Sequence, residues 1–254
     1  MLGKTVLITG ASSGIGLTCA RYFAKKKAKL LLCARRLEKI IELKEELERS
    51  FGVEVHSFRL DVSDKNEVLR AFESLPSEWK EIDVLINNAG KALGLETVQE
   101  GSWDNWDSMI DTNFKGLLYV TRQVLPGMVQ RKRGYVVNVA SIAGHEVYPK
   151  GNVYCATKHA VVALSKAMRF DVLGTGVRVT SICPGIVETE FSQVRFKGDK
   201  QKAKSIYEGT RPLLAEDIAE AIGYCVMCPP HVNISEMIIM PTDQASMMSI
   251  YREK

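Results

Sequence analysis

The chain has 254 residues, 46% hydrophobic and 25% charged, which is enough to bury a full core without help from disulfides or metal. Its 34 Lys and Arg against 30 Asp and Glu leave a formal charge of +4, too mild to call for nucleic acid or a membrane surface as partner. No uncharged apolar stretch approaches the roughly 18 residues of a bilayer span, and the mixture excludes disorder, collagen and coiled coil.

The first predicted strand covers 5–9 and leads into the turn Gly10-Ala-Ser12-Ser13-Gly14-Ile15-Gly16, where a helix starts near Gly14. Glycines let such a turn close tightly and approach a pyrophosphate, and the helix start offers its N–H groups to that anion. The spacing is GxxxGxG and lacks the lysine of a phosphate-binding NTPase loop. Gly10, Ser12, Ser13, Gly14, Ile15 and Gly16 are therefore candidate cofactor contacts. The second strand, 29–34, runs into Arg35 and Arg36. An acid there would accept the ribose hydroxyl of NAD, whereas arginine accommodates the 2′-phosphate of NADP through charge-assisted bonds. NADP is the expected cofactor, with Ser12 adding a hydroxyl.

The next helix begins near Leu37 and turns Leu37, Ile40, Ile41, Lys44 and Leu47 to the sheet, with Glu38, Lys39, Glu42, Glu45 and Glu46 outside. A strand over 54–60 is followed by a helix from Lys65, capped by Asp64 with Glu67 three residues on, a capping box in function. Strands over 84–87, 135–140 and 177–183 alternate with long helices over 103–133 and 152–173. A helix near Glu216 and a strand over 237–240 complete the series. Most strands are continuous Val/Ile/Leu runs, and no linker divides the chain. The expected fold is α/β: one domain, 1–254, built as a Rossmann-type doubly wound parallel sheet of about seven strands with helices on both faces. Its ligand crevice lies beyond the carboxyl ends of the strands. The basic clusters at 25–27 and 131–133 fall at helix ends, where the dipole favours cations.

Six cysteines, Cys19, Cys33, Cys155, Cys183, Cys225 and Cys228, lie in apolar segments with no leader ahead of the first strand, as expected of a reduced, cytoplasmic protein. Cys225 and Cys228 form a lone CxxC without a second pair, which reads as buried small hydrophobes. His56, His145, His159 and His231 show no metal spacing; no metal is expected, and only His145, close after Ser141, is a candidate for the pocket border.

Residues 9–16, Asp61-Val62, Asn87-Asn-Ala-Gly90, Asn113, Ser141, Tyr154-Cys-Ala-Thr-Lys158 and Pro184-Gly185 together resemble the short-chain dehydrogenase/reductase pattern, in order along essentially the whole chain. The chemistry agrees with the resemblance. Tyr154 and Lys158 sit at i and i+4 on one helix face, and an ammonium close by would lower a phenol from its usual value near 10 toward the range of general acid–base work. The resemblance implies that Ser141 holds the substrate oxygen against Tyr154 and that Asn113 joins a water-linked proton relay through Lys158. It also implies that Asn87, Ala89 and Gly90 border the adenosine ribose and Asp61 and Val62 the adenine. Lys158 reaches the nicotinamide ribose, and Pro184, Gly185, Val187 and Thr189 embrace the nicotinamide.

Residues 87–94, 187–192, 194–199 and 230–234 further resemble the NADP-dependent 3-hydroxy acid dehydrogenases, a group that includes serine and L-allo-threonine dehydrogenases and malonic semialdehyde reductases. The implied reaction is hydride transfer between NADP(H) and C3 of a small 3-hydroxy acid. A carboxylate substrate needs a cation, and a lid over 188–210 offers Arg195, with Lys91 as its rival. Tyr148 and Phe191 are expected to wall the site. The alternatives are reduction of other carbonyls, such as 3-ketoacyl groups or xenobiotic ketones, and a cofactor-binding regulator without turnover. Expected partners are a small-molecule hydroxy acid or carbonyl and further copies of the chain, since the resemblance implies a homotetramer joined through the two long helices.

Overall fold

The structure, a computed structural model, describes residues 1–253. Among them seven strands form one parallel sheet in the order β3-β2-β1-β4-β5-β6-β7. They are β1 Thr5–Thr9, β2 Lys29–Ala34, β3 Val55–Arg59, β4 Val84–Asn87, β5 Gly134–Val139, β6 Val177–Pro184 and β7 Glu236–Ile239. Successive residues of a strand face opposite ways. Val6 and Ile8 of β1 accordingly join one core cluster with Leu30, Leu32, Phe23 and Ile222, while Leu7 joins the other with Leu31, Leu85, Val124 and Val161. Both faces are dry, which is why the strands read as unbroken apolar runs.

The first cluster lies under α1 (Gly14–Lys25), α2 (Leu37–Phe51) and α9 (Ala215–Met227); the second lies under α3 (Lys65–Glu73), α5 (Leu117–Gln130) and α6 (Asn152–Asp171). On α2 the buried stripe is Ile40, Leu43 and Leu47, whereas Leu37 and Ile41 are exposed. The helix is rotated from the face expected of it, and Leu43 takes the inward place. Asp64 caps α3 by accepting from the N–H groups of Asn66 and Glu67. The reciprocal half of the capping box is missing, because the Asp64 N–H already donates to the Asp61 carbonyl. Glu67 reaches past it to accept from the Asp61 N–H and from Arg59.

The expected helix over 103–133 is broken into α4 (Trp103–Ile110), a wider π turn at Asp111–Gly116, and α5. Gly116 explains the local fit: a Cβ there would lie 2.8 Å from a methyl of Val62 and 2.9 Å from its carbonyl oxygen. Such π turns are uncommon and concentrate at functional sites; this one carries Asn113. Two short helices, α7 (Phe191–Arg195) and α8 (Lys200–Ser205), form the segment after β6. A parallel bridge between Val187 and Leu213 closes that segment at its base.

The strand order reverses between β1 and β4, so the carboxyl ends of these two strands diverge and open a crevice. A cavity of about 350 Å³ lies there.

Candidate active site

One end of the cavity is the turn between β1 and α1. Gly10 has φ +66° and Gly14 φ +52°, and a Cβ on Gly16 would stand 2.4 Å from the Gly10 carbonyl oxygen. Thr9 and Asn88 pin the turn to β4. The Thr9 hydroxyl accepts from the N–H groups of Asn88 and Ala89, and the Asn88 amide donates to the carbonyls of Thr9 and Gly10. Ser13 stands at the N-cap of α1, its side chain makes no bond to the first turn, and Ser13, Gly14 and Ile15 line the cavity.

Arg36 is fixed across this turn. Its Nε and Nη2 donate to the Ser12 hydroxyl at 3.2 and 3.1 Å, Nη2 also donates to Ser13 at 2.7 Å, and Nη1 meets the Glu190 carboxylate at 3.0 Å. Arg35 is exposed beside it. Asp61 accepts from the hydroxyl and N–H of Ser63. Burial pushes its carboxyl up, but those bonds and the nearby charges of Arg35 and Lys91 outweigh burial, and it titrates below its usual value. Lys91 is lowered by burial and by Arg35.

Ser141, Tyr154 and Lys158 meet at the other end. Ser141 follows β5; its hydroxyl accepts from the Ala143 N–H at 3.1 Å and donates to the Pro184 carbonyl at 3.4 Å. Tyr154 and Lys158 project from α6, and the Lys158 Nζ lies 5.9 Å from the Tyr154 ring centre and donates to the Val139 carbonyl at 2.9 Å. The sequence suggested that lysine would acidify the phenol. Burial decides otherwise: it drives Tyr154 above its ordinary value, only partly offset by Ser141 and Arg195, and it lowers Lys158 to about 8.

This shift carries a sign that stability measurements can read. Lys158 binds its proton less tightly folded than unfolded, so its burial cost is complete below pH 8 and disappears as pH rises past the unfolded value near 10.4. Lys158→Met is therefore expected to raise unfolding stability by up to about 3 kcal/mol at pH 7, the gain fading toward pH 10.5. Thermal melts of both proteins across that range test it; a gain independent of pH would contradict it.

Several expected contacts lie elsewhere. Asn87 is buried and donates to Thr121 and Asn138, inside the core instead of at the ribose, and the neighbouring Asn88 faces the cavity. Asn113 is 2% exposed. Its carbonyl accepts from the Lys91 N–H, and its amide donates to the Lys91 carbonyl and to Thr157. With both ends occupied, the side chain clamps the Gly90–Lys91 backbone beside Lys158. Val187 lines the cavity as expected, and its carbonyl accepts from the Tyr207 hydroxyl. Gly16 lies behind the turn, outside the cavity lining. His145 turns from the cavity toward β7, with its Nε2 3.3 Å from Glu236. His145, Cys183 and Glu236 bring ligating atoms within 4.8 Å, a grouping their spacing in sequence does not reveal. Gly10, Ser12, Ser13, Gly14, Ile15, Val62, Ala89, Gly90, Pro184, Gly185 and Thr189 all line the cavity.

The segment after β6 packs against the tyrosine. The ring centre of Phe191 lies 5.8 Å from that of Tyr154. The Arg195 guanidinium stands 5.8 Å from the Tyr154 ring centre and 5.3 Å from that of Tyr148, while its Nε donates to the Gly94 carbonyl. The Tyr148 hydroxyl is buried with no hydrogen-bond partner, and its ring fits only because residue 151 is glycine, whose Cβ would come within 2.5 Å of it. Met247, near the chain end, packs against the same cluster as Tyr154. Sequence reasoning missed Thr9, Asn88 and Glu190, and it named Lys91 only as a rival cation.

Known proteins share this arrangement of sequence and fold. An NADP-dependent 3-hydroxy acid dehydrogenase of Salmonella typhi is 48% identical over 249 residues, 97% of this chain and 99% of that protein. Sulfoacetaldehyde reductase 2 of Chromohalobacter salexigens is 44% identical over 245 residues, covering 96% of each chain. The closed form of a serine dehydrogenase complexed with NADP+ superposes with a TM-score of 0.92 at 45% identity, covering 98% of this chain and 100% of that one. Residues 4–200 match the family model for short chain dehydrogenase, and the chain belongs to that family.

Proposed function

We propose that the protein is an NADP-dependent oxidoreductase that interconverts a small 3-hydroxy acid and its 3-oxo counterpart. The observation that carries this reading is one cavity with an arginine fork on Ser12 and Ser13 at one end and Ser141, Tyr154 and Lys158 at the other. The cavity residues fit a dinucleotide with a 2′-phosphate. Side chains at Gly10 or Gly14 would crowd Ala89 or Thr189, the helix start faces the crevice, and two arginines follow β2 where an NAD enzyme would carry an acid. Arg35, Arg36, Ser12 and Ser13 would hold the adenosine phosphate end, Asp61 and Val62 the adenine, and Pro184, Gly185, Val187 and Thr189 the nicotinamide.

Bound NADP supplies or accepts the hydride. The chain's own groups manage the substrate oxygen and its proton. Ser141 donates a hydrogen bond to that oxygen and Tyr154 exchanges the proton with it. A phenol raised by burial is fully protonated at neutral pH, the state needed to donate to a carbonyl oxygen. Lys158 stands behind the ring as the nearby cation. Asn113 positions the Gly90–Lys91 backbone. Arg195, held against both Tyr148 and Tyr154, grips the substrate carboxylate; Lys91, whose charged neighbours are Arg35 and Asp61, belongs to the adenosine end.

The similarity to a sulfoacetaldehyde reductase favours a second reading, since an arginine holds a sulfonate as readily as a carboxylate. A panel of 3-hydroxy acids, sulfoacetaldehyde and uncharged alcohols, followed by NADPH absorbance with NAD(H) in parallel, tests both. Turnover of L-serine or 3-hydroxypropionate with NADP is the expected result; activity confined to uncharged carbonyls would refute the reading. We further propose a cytoplasmic homotetramer. In support, no helix among the described residues is long and apolar enough to cross a membrane. Trp103 on α4, Phe170 at the end of α6 and Leu173 in the turn after it expose most of their apolar surface.

A further inference from the structure

Glu190 joins two parts of the site that sequence analysis treated separately. It stands immediately before α7, where its carboxylate meets Arg36 Nη1 at 3.0 Å and Lys39 Nζ at 3.5 Å. It lines the same cavity as Ser12, Ser13, Arg35 and Arg36. The other edge of the Arg36 guanidinium is already committed to the two serine hydroxyls, so Glu190 holds the donor that faces the lid. Burial raises the Glu190 carboxyl, but Arg36 and Lys39 overcome burial and keep it below its usual value, hence charged.

We propose that Glu190 is a specificity-determining residue that acts as an internal competitor for Arg36, occupying the grip that would otherwise go to the 2′-phosphate of the cofactor. The proposal rests on the NADP reading given above. A phosphate arriving at Ser12, Ser13 and Arg36 meets a carboxylate already paired with the same guanidinium, and two anions sharing one cation repel each other. The phosphate therefore binds by displacing Glu190, whereas the neutral 2′-hydroxyl of NAD makes no such demand. Glu190 thus lowers affinity for the phosphorylated cofactor selectively. The exchange also reaches the lid, because the next residue is Phe191, whose ring packs over Tyr154.

The test is calorimetric titration of the wild type and Glu190→Gln with adenosine 2′,5′-bisphosphate and with 5′-AMP, two probes that differ only in the 2′-phosphate. The substitution is nearly isosteric at a position 42% exposed, so folding is expected to survive, and a melt confirms it. For an exposed pair, the variant is expected to bind the bisphosphate about three- to fivefold more tightly at low salt, with 5′-AMP unchanged. The gain should shrink near 1 M salt, where the screening length is about 3 Å. Unchanged or weakened bisphosphate binding, or an equal change for both probes, overturns the proposal while wild-type preference for the bisphosphate stands. A wild type that binds the bisphosphate no better than 5′-AMP overturns the NADP reading and this proposal with it.

Discussion

Tyr154→Phe is expected to reduce turnover by about a hundred- to ten-thousandfold, the usual contribution of a positioned proton donor, while NADP binding and thermal stability change little. The ring stays, with its packing against Phe191 and the small apolar cluster around it; only the phenolic oxygen, the proposed proton donor, is removed. Steady-state rates combined with fluorescence titration of NADPH separate the two effects. Retained turnover would show that another group moves the proton, and equal loss of cofactor binding would point to a structural role. The pH profile adds a second check. Burial raises Tyr154 and lowers Lys158 to about 8, so carbonyl reduction should hold across neutral pH and decline as pH rises through the value for Lys158.

Arg195→Met is expected to raise KM for a 3-hydroxy acid by about ten- to a hundredfold, the scale of one charge-assisted hydrogen bond, with a much smaller change for an uncharged alcohol. Methionine keeps the apolar stem between Tyr148 and Tyr154 and removes the cation. The measurement is KM for both substrates on both proteins. An equal rise for the two would mean that Arg195 only braces the lid through its bond to the Gly94 carbonyl.

Local sequence pattern made the sheet legible because the central strands are buried on both faces, so hydrophobic run length marks them, while the edge strands β3 and β7 are only partly covered. It failed where partners are distant. Asn87 and Asn88 look alike in the chain, but strand parity turns Asn87 inward, opposite Asn138 in the β4–β5 register, and Asn88 to the turn. The bond between Arg36 and Glu190 spans 154 positions, beyond any periodicity. The i,i+4 spacing of Tyr154 and Lys158 placed both residues correctly on α6, yet proximity in sequence could not reveal how strongly burial acts on each. The π turn was hidden for a similar reason, since the close approach of Gly116 to Val62 that accompanies it is tertiary.

The short helices α7 and α8 hang from the Val187–Leu213 bridge and give only Phe191 to a core cluster, as a partly buried member of the smallest. Foldability and chemical taste are consequently encoded in different stretches of this polypeptide. Exchange of the intervening loop would leave the buried sheet untouched but would have to replace its ties to the scaffold, the Arg36–Glu190 pair and the Arg195–Gly94 bonds.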